Sequence, residues 1–106
     1  MEALPEIVTE HLAEVRALCE KYRVKRLAIF GSAVKGTFDP ATSDLDFVVE
    51  FDDALWGVDG WDAYFGLKFA LKDLFAREID LVEWSAVENP YFRQILETTQ
   101  RDLYAA

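Results

Sequence analysis

A chain of 106 residues with 20 acidic and 11 basic side chains, for a formal net charge of −9, has length for one domain, residues 1–106, built on one core. Nucleic-acid binding depends on Lys and Arg neutralising phosphates, so this balance argues against stable attachment to DNA or RNA and suits a basic protein partner better. Cys19 is the only cysteine, which excludes an intrachain disulfide; no apolar run reaches membrane-spanning length and no signal pattern opens the chain, so a cytoplasmic protein without membrane contact is expected.

Pro5, then Val8, Leu12, Val15, Cys19 and Tyr22 at three- and four-residue spacing predict one amphipathic helix over roughly residues 5–22, with Cys19 a buried thiol. His11 lies beside that stripe and is assigned no role. The run ending Leu27-Ala28-Ile29-Phe30 predicts a strand over about 24–30, and Gly31-Ser32 stands where it must turn sharply. A short helical segment near 32–36, a loop marked by Gly36, Asp39-Pro40 and Thr42-Ser43, and a second strand over about 44–51 follow. Asp52 and Asp53 read as solvated turn residues beyond it. Past Gly57 and Gly60, the spacing of Trp61, Phe65, Lys68, Phe69, Lys72 and Phe75 predicts a helix over roughly 61–76. Residues 78–84 make a third strand, and Asn89-Pro90 opens a last helix to about 104, with Ile95, Leu96, Thr99 and Leu103 in register. The expected class is α+β, a small mixed sheet of about three strands flanked by helices. Trp56, Trp61, Tyr64, Phe65 and Trp84 are more aromatic surface than a small core needs, which leaves core packing and interface use both open; Trp84 also stands where it could border a base pocket.

The chemistry concentrates in three acids. Asp44 and Asp46 fall on the second predicted strand, whose alternation turns them to one face and Leu45 and Phe47 to the other. Asp80 sits inside Glu78-Ile79-Asp80-Leu81-Val82, where an acid is costly unless it lies at a wet edge or binds a cation. Pairing the two strands completes a triad. Carboxylates so close repel one another without metal, whereas a divalent cation keeps them ionised. Mg²⁺ suits the set, because it takes few protein carboxylates and fills its octahedron with water and phosphate oxygens. Two such ions, roughly 3.5–4 Å apart, serve in-line displacement at phosphorus. Asp44 and Asp46 are then expected to bind both ions, and Asp80 to bind the ion that activates the incoming hydroxyl and to accept its proton. The backbone N–H groups of Gly31 and Ser32, the Ser32 hydroxyl and Lys35 are expected to hold the leaving phosphates of the nucleotide.

As a joint pattern, Phe30-Gly31-Ser32, Gly36, the stretch from Ser43 through Asp44-Leu45-Asp46 to Phe51, and Ile79-Asp80-Leu81-Val82 resemble the nucleotidyltransferase superfamily that includes polymerase beta. Within it the chain is most similar to the minimal nucleotidyltransferases encoded beside HEPN-domain toxins. The resemblance covers most of the chain and differs in two places: the usual arginine-rich stretch after Gly-Ser reads Ala33-Val34-Lys35, and the spacer to Asp44 is one residue longer. It implies a palm-like nucleotidyltransferase fold, ATP as substrate with two Mg²⁺ ions, and an antitoxin that silences a HEPN-type RNase toxin by placing AMP on a tyrosine hydroxyl within a hetero-oligomer. An antitoxin that neutralises the same partner by complex formation alone is the alternative, which the arginine-poor stretch favours.

Overall fold

The computed structural model describes residues 4–52 and 58–106. Along the chain lie α1 (Glu6–Thr9), α2 (Leu12–Lys21), β1 (Val24–Phe30), α3 (Ser32–Lys35), β2 (Leu45–Phe51), α4 (Val58–Phe75), β3 (Ile79–Glu83), a 3₁₀ turn (Trp84–Ala86), α5 (Pro90–Thr99) and β4 (Arg101–Ala105). The strands form one mixed sheet in the order β3-β2-β1-β4, with β1 antiparallel to both β2 and β4, and β2 parallel to β3. A parallel pair needs a long crossover, and α4 supplies it.

Strand alternation divides the sheet between two apolar clusters. On one face Leu27, Ile29, Leu45, Phe47 and Leu81 pack with Val15 and Cys19 of α2 and with Leu67, Leu71 and Phe75 of α4. On the other, Ala28 and Val48 pack with Val87 and with Leu96 of α5, and Phe30, Val82 and Trp84 close around them. Asn89 caps α5 by accepting from the backbone N–H groups of Tyr91 (2.9 Å) and Phe92 (3.3 Å), and Pro90 occupies the first helical position. Cys19 is fully buried, and that burial, with Glu20 beside it, pushes its thiol up to about 12.

In α4 the buried residues Ala63, Leu67, Leu71 and Phe75 recur every four positions, which is the face turned to the core. Gly66 lies against the residue that ends α2, since a Cβ there would overlap the ring of Tyr22. Facing outward, Trp61, Phe65 and Phe69 stack in a row while remaining 63%, 40% and 59% exposed. Of the aromatic surplus in the sequence, Trp61 and Phe65 therefore lie outside the core and Tyr64 and Trp84 are half-buried; Trp56 and Asp53 lie outside the described residues.

Two expectations about elements are corrected. The helix expected over 5–22 is broken at Glu10 and His11. His11 Nδ1 engages the Ile7 carbonyl at 2.8 Å, the acceptor its own backbone N–H would use in a continuous helix, and that N–H turns to the Val8 carbonyl at 3.1 Å. The ring also meets Phe75 edge-on, so the lone histidine has a local structural task. The last helix stops at Thr99 rather than near 104, and the sheet has four strands rather than three. Thr98 and Thr99 close the final turn by donating their hydroxyls to the Gln94 and Ile95 carbonyls, and the chain then becomes extended at Gln100 (φ −65°, ψ 151°). β4 covers the outer edge of β1, with Leu103 buried in the main core. Leu103→Ala should therefore cost about 2–5 kcal/mol, as for other buried leucines; a urea unfolding midpoint unchanged from wild type would be inconsistent with this fourth strand.

Candidate active site

The parallel register pairs Asp46 of β2 directly with Asp80 of β3, so the two carboxylates leave the sheet on one face. Asp44 lies one residue ahead of β2 and two before Asp46, on the side opposite to the buried Leu45 and Phe47. Ile79 and Leu81, on either side of Asp80, are buried on the other face. Asp44 and Asp80 are exposed and Asp46 is half-buried. β3 is a sheet edge, which answers the question an acid between Ile79 and Leu81 raises: its side chain reaches water.

Gly31 closes the site from the end of β1. Phe30 is the register partner of Asp46, and the turn that follows carries Gly31 at φ 72°, ψ −144°, a conformation in which any side chain is strained. A Cβ on Gly31 would also overlap Asp46 Oδ2. The glycine is thus needed twice, for the backbone angle and for the carboxylate folded against it. Ser32 and Lys35 begin and end the one-turn α3, and Gly36 ends it in the left-handed region at φ 76°. The first N–H groups of any helix lack intrahelical partners, and here they start beside Asp46.

Electrostatics link the same residues. The carboxyl of Asp46 is held above the ordinary carboxylate range, first by burial, then by Asp80 and Asp44, with Lys35 partly opposing. Tyr64 of α4 donates its hydroxyl to the Leu81 carbonyl at 2.5 Å, and its phenol is raised by burial and by Asp80 and Glu83. As the side chains lie, no three acidic, histidine or cysteine groups among the described residues are close enough to enclose an ion. Two of the three acids are exposed, however, and exposed side chains change rotamer at little cost. The donor set is all-oxygen and mutually repulsive, which fits a hard divalent cation of the Mg²⁺ type.

Neighbouring features frame the acids. α5 lies on their face of the sheet, and Phe92 meets Phe30 edge-on at 6.1 Å between centroids. The guanidinium of Arg93 lies 4.5 Å from the centroid of the Trp84 ring and donates to the Trp84 carbonyl at 3.2 Å. A cavity of about 460 Å³ lined by Cys19, Arg23, Lys25 and Tyr104 opens at the start of β1. Since Asp46 pairs with the other end of that strand, the cavity belongs to the far end of the sheet. The sequence offers Tyr64 only as one of its surplus aromatics; its bond to a backbone carbonyl beside Asp80 leaves no residue-type signature.

The family profile described as "Nucleotidyltransferase domain" matches residues 15–101. The chain belongs to this family. Among its relatives, "Putative protein adenylyltransferase MJ0128" of Methanocaldococcus jannaschii is 34% identical over 97 residues, covering 92% of this chain and 94% of the relative. "Putative protein adenylyltransferase MJ1379" of the same organism is 30% identical, covering 92% of this chain and 91% of its own. Among solved structures, one described as "Structure of putative minimal nucleotidyltransferase" superposes with a TM-score of 0.75 at 25% identity, covering 91% of this chain and 92% of that one. A toxin–antitoxin crystal structure with AMP-PNP superposes at 0.68 and 21% identity, covering 90% and 73% of the two chains. A complex of tri-AMPylated Shewanella oneidensis HEPN toxin with MNT antitoxin superposes at 0.59 and 19% identity, covering 92% and 72%. The nucleotidyltransferase fold is thus shared at these levels, and no helix among the described residues is long and apolar enough to cross a membrane.

Two measurements on the nucleotidyltransferase alone check this geometry. An acid whose value is raised in the fold resists ionisation there, so stability is lost as pH rises through the raised value and retained below the ordinary carboxylate range. Asp46→Asn should accordingly raise the melting temperature at neutral pH in chelator, and the advantage should shrink on acidification; an equal melting temperature across the titration would mean that Asp46 is unstrained. Gly31→Ala should lower stability by about 1–3 kcal/mol through backbone strain alone, read from denaturant midpoints against wild type.

Proposed function

We propose that this nucleotidyltransferase transfers AMP from ATP to a hydroxyl, that of a tyrosine, on a HEPN-domain toxin and acts as its antitoxin in the cytoplasm. The observation that carries the reading is the pairing of Asp46 with Asp80 in parallel register, with Asp44 on the same face and Gly31 packed against Asp46. The names of the relatives as protein adenylyltransferases support the reaction, and the complexes with AMP-PNP and with an AMPylated HEPN toxin support nucleotide and partner. The exposed row Trp61, Phe65 and Phe69 supports a protein rather than a small acceptor.

Asp44, Asp46 and Asp80 are the residues that would hold two Mg²⁺ ions, whose contribution when bound is to neutralise charge on the phosphates and acidify the acceptor hydroxyl. The backbone N–H groups of Gly31 and Ser32, the Ser32 hydroxyl and Lys35 hold the leaving phosphates. The acceptor oxygen forms a bond to the α-phosphorus while the bond from that phosphorus to the β-phosphate bridging oxygen breaks. Pyrophosphate departs, and the hydroxyl proton passes to Asp80.

A second reading, neutralisation by binding alone, is favoured by Ala33-Val34-Lys35 after Ser32 and by acids that do not close on one point as they lie. Substitution separates the two. Asp44→Asn or Asp46→Asn should reduce AMP transfer by at least about a hundredfold, and Asp80→Asn should slow transfer while leaving nucleotide binding less affected. The readout is the intact mass of the HEPN-domain protein after incubation with ATP and Mg²⁺. If the three variants silence that protein as well as wild type and no AMP adduct forms on it, the chain works by binding.

A further inference from the structure

Asp44 stands outside the β2 ladder, at the end of the irregular segment 36–44. That segment is partly self-closed: the Asp39 carbonyl accepts from the N–H groups of Thr42 (3.2 Å) and Ser43 (2.9 Å), Ser43 Oγ accepts from Asp39 N–H (2.9 Å), and Asp39 Oδ1 accepts from Ala41 N–H (2.9 Å). None of these bonds ties the segment to the strand that carries Asp80. Arg77 does. Its Nη1 donates to the Ser43 carbonyl and its Nη2 to the Pro40 carbonyl, both at 3.1 Å, and its guanidinium carbon lies 5.1 Å from the centroid of the Phe38 ring. One planar cation therefore grips the segment at three points. The Ser43 carbonyl belongs to the peptide unit whose nitrogen is that of Asp44, so the bond orients the plane from which Asp44 departs. Arg77 itself lies three residues before Asp80, and the next residue, Glu78, offers its carbonyl to Leu45 N–H at 3.3 Å, the contact that starts the β2–β3 pairing.

We infer that Arg77 is a positioning residue for the acid site, fixing the departure of Asp44 relative to the strand that carries Asp80. The inference rests on the nucleotidyl-transfer reading for its purpose, and on the two carbonyl bonds for its mechanism. Only a forked donor reaches both carbonyls in one plane, so Lys at this position secures one of them at most. Residues that orient metal ligands by hydrogen bonding typically influence affinity by about 10–100-fold, which sets the size of the effect.

The test uses Mn²⁺ with ATP as the probe, its binding followed by equilibrium dialysis as the ATP and Mn²⁺ retained with the protein, together with amide hydrogen exchange across residues 42–45. Arg77→Ala should weaken Mn²⁺·ATP binding by about tenfold and speed exchange at those amides, at a temperature where circular dichroism matches wild type. Arg77→Lys should fall between the two, and added ethylguanidinium should restore part of the affinity of Arg77→Ala but leave Arg77→Lys unchanged. Leu103→Ala, destabilised in the distant β4, should bind Mn²⁺·ATP as wild type does. Binding by Arg77→Ala within twofold of wild type, or an equal loss in Leu103→Ala, overturns the inference. If wild type binds no Mn²⁺ in the presence of ATP, the nucleotidyl-transfer reading fails, and the exchange data then decide whether Arg77 orders the segment at all.

Discussion

The parallel pairing of β2 with β3 is the constraint on which the rest of the molecule depends. Parallel strands cannot be joined by a tight turn, so the pairing requires the long crossover α4, and α4 in turn brings Leu67, Leu71 and Phe75 to one core face. The same pairing fixes register, and register alone decides whether Asp80 meets Asp46 or faces Leu67 and Leu71. A slip of one residue would bury a carboxylate in the core and expose Leu81, at a cost of several kcal/mol in desolvation and lost burial together. Hydrophobic burial on one face thus specifies acid placement on the other.

That arrangement sets local strain against global stability. Asp46 is half-buried beside two exposed acids, with Lys35 partly opposing, so its own carboxyl is partly desolvated and is repelled by its neighbours. The compensation lies away from it, in Leu27, Ile29, Phe47, Leu67 and Leu71 and in the cap on α5. The larger core cluster lies on the face opposite to the acids, while the smaller one, under α5, shares their face. Ligand binding at such a site relieves repulsion as well as adding contacts.

Much of this was legible in the residues because the deciding pattern is local. Alternation of Asp44, Leu45, Asp46 and Phe47 names the faces without any tertiary knowledge, and Gly31-Ser32 after an apolar run marks the turn. The strands β1, β2 and β3 and the helix α4 followed from periodicity and strand composition. What could not be read depends on partners distant in sequence. Arg101 to Ala105 carries no strand signal of its own beyond Leu103, and becomes a strand because β1 presents an edge to it. The break at His11 arises when its ring competes with its own backbone for the Ile7 carbonyl, a choice that periodicity of Val8, Leu12 and Val15 does not register. Arg77 likewise carries no signal in sequence and acts through the carbonyls of Pro40 and Ser43.

The overlap between a Cβ at Gly31 and Asp46 Oδ2 bears on how such a site can change over evolutionary time. While Asp46 is present, substitution at Gly31 is opposed twice, by backbone angle and by crowding. Once Asp46 is replaced by a smaller residue the crowding vanishes, but the backbone at φ 72°, ψ −144° still disfavours every side chain, so position 31 stays glycine. A carboxylate can then be regained at position 46 by a single substitution, because the space it needs is still open. Loss of the acid is therefore reversible: a lineage that passes through it keeps its fold, its core and the glycine turn, and the site can be rebuilt at one position.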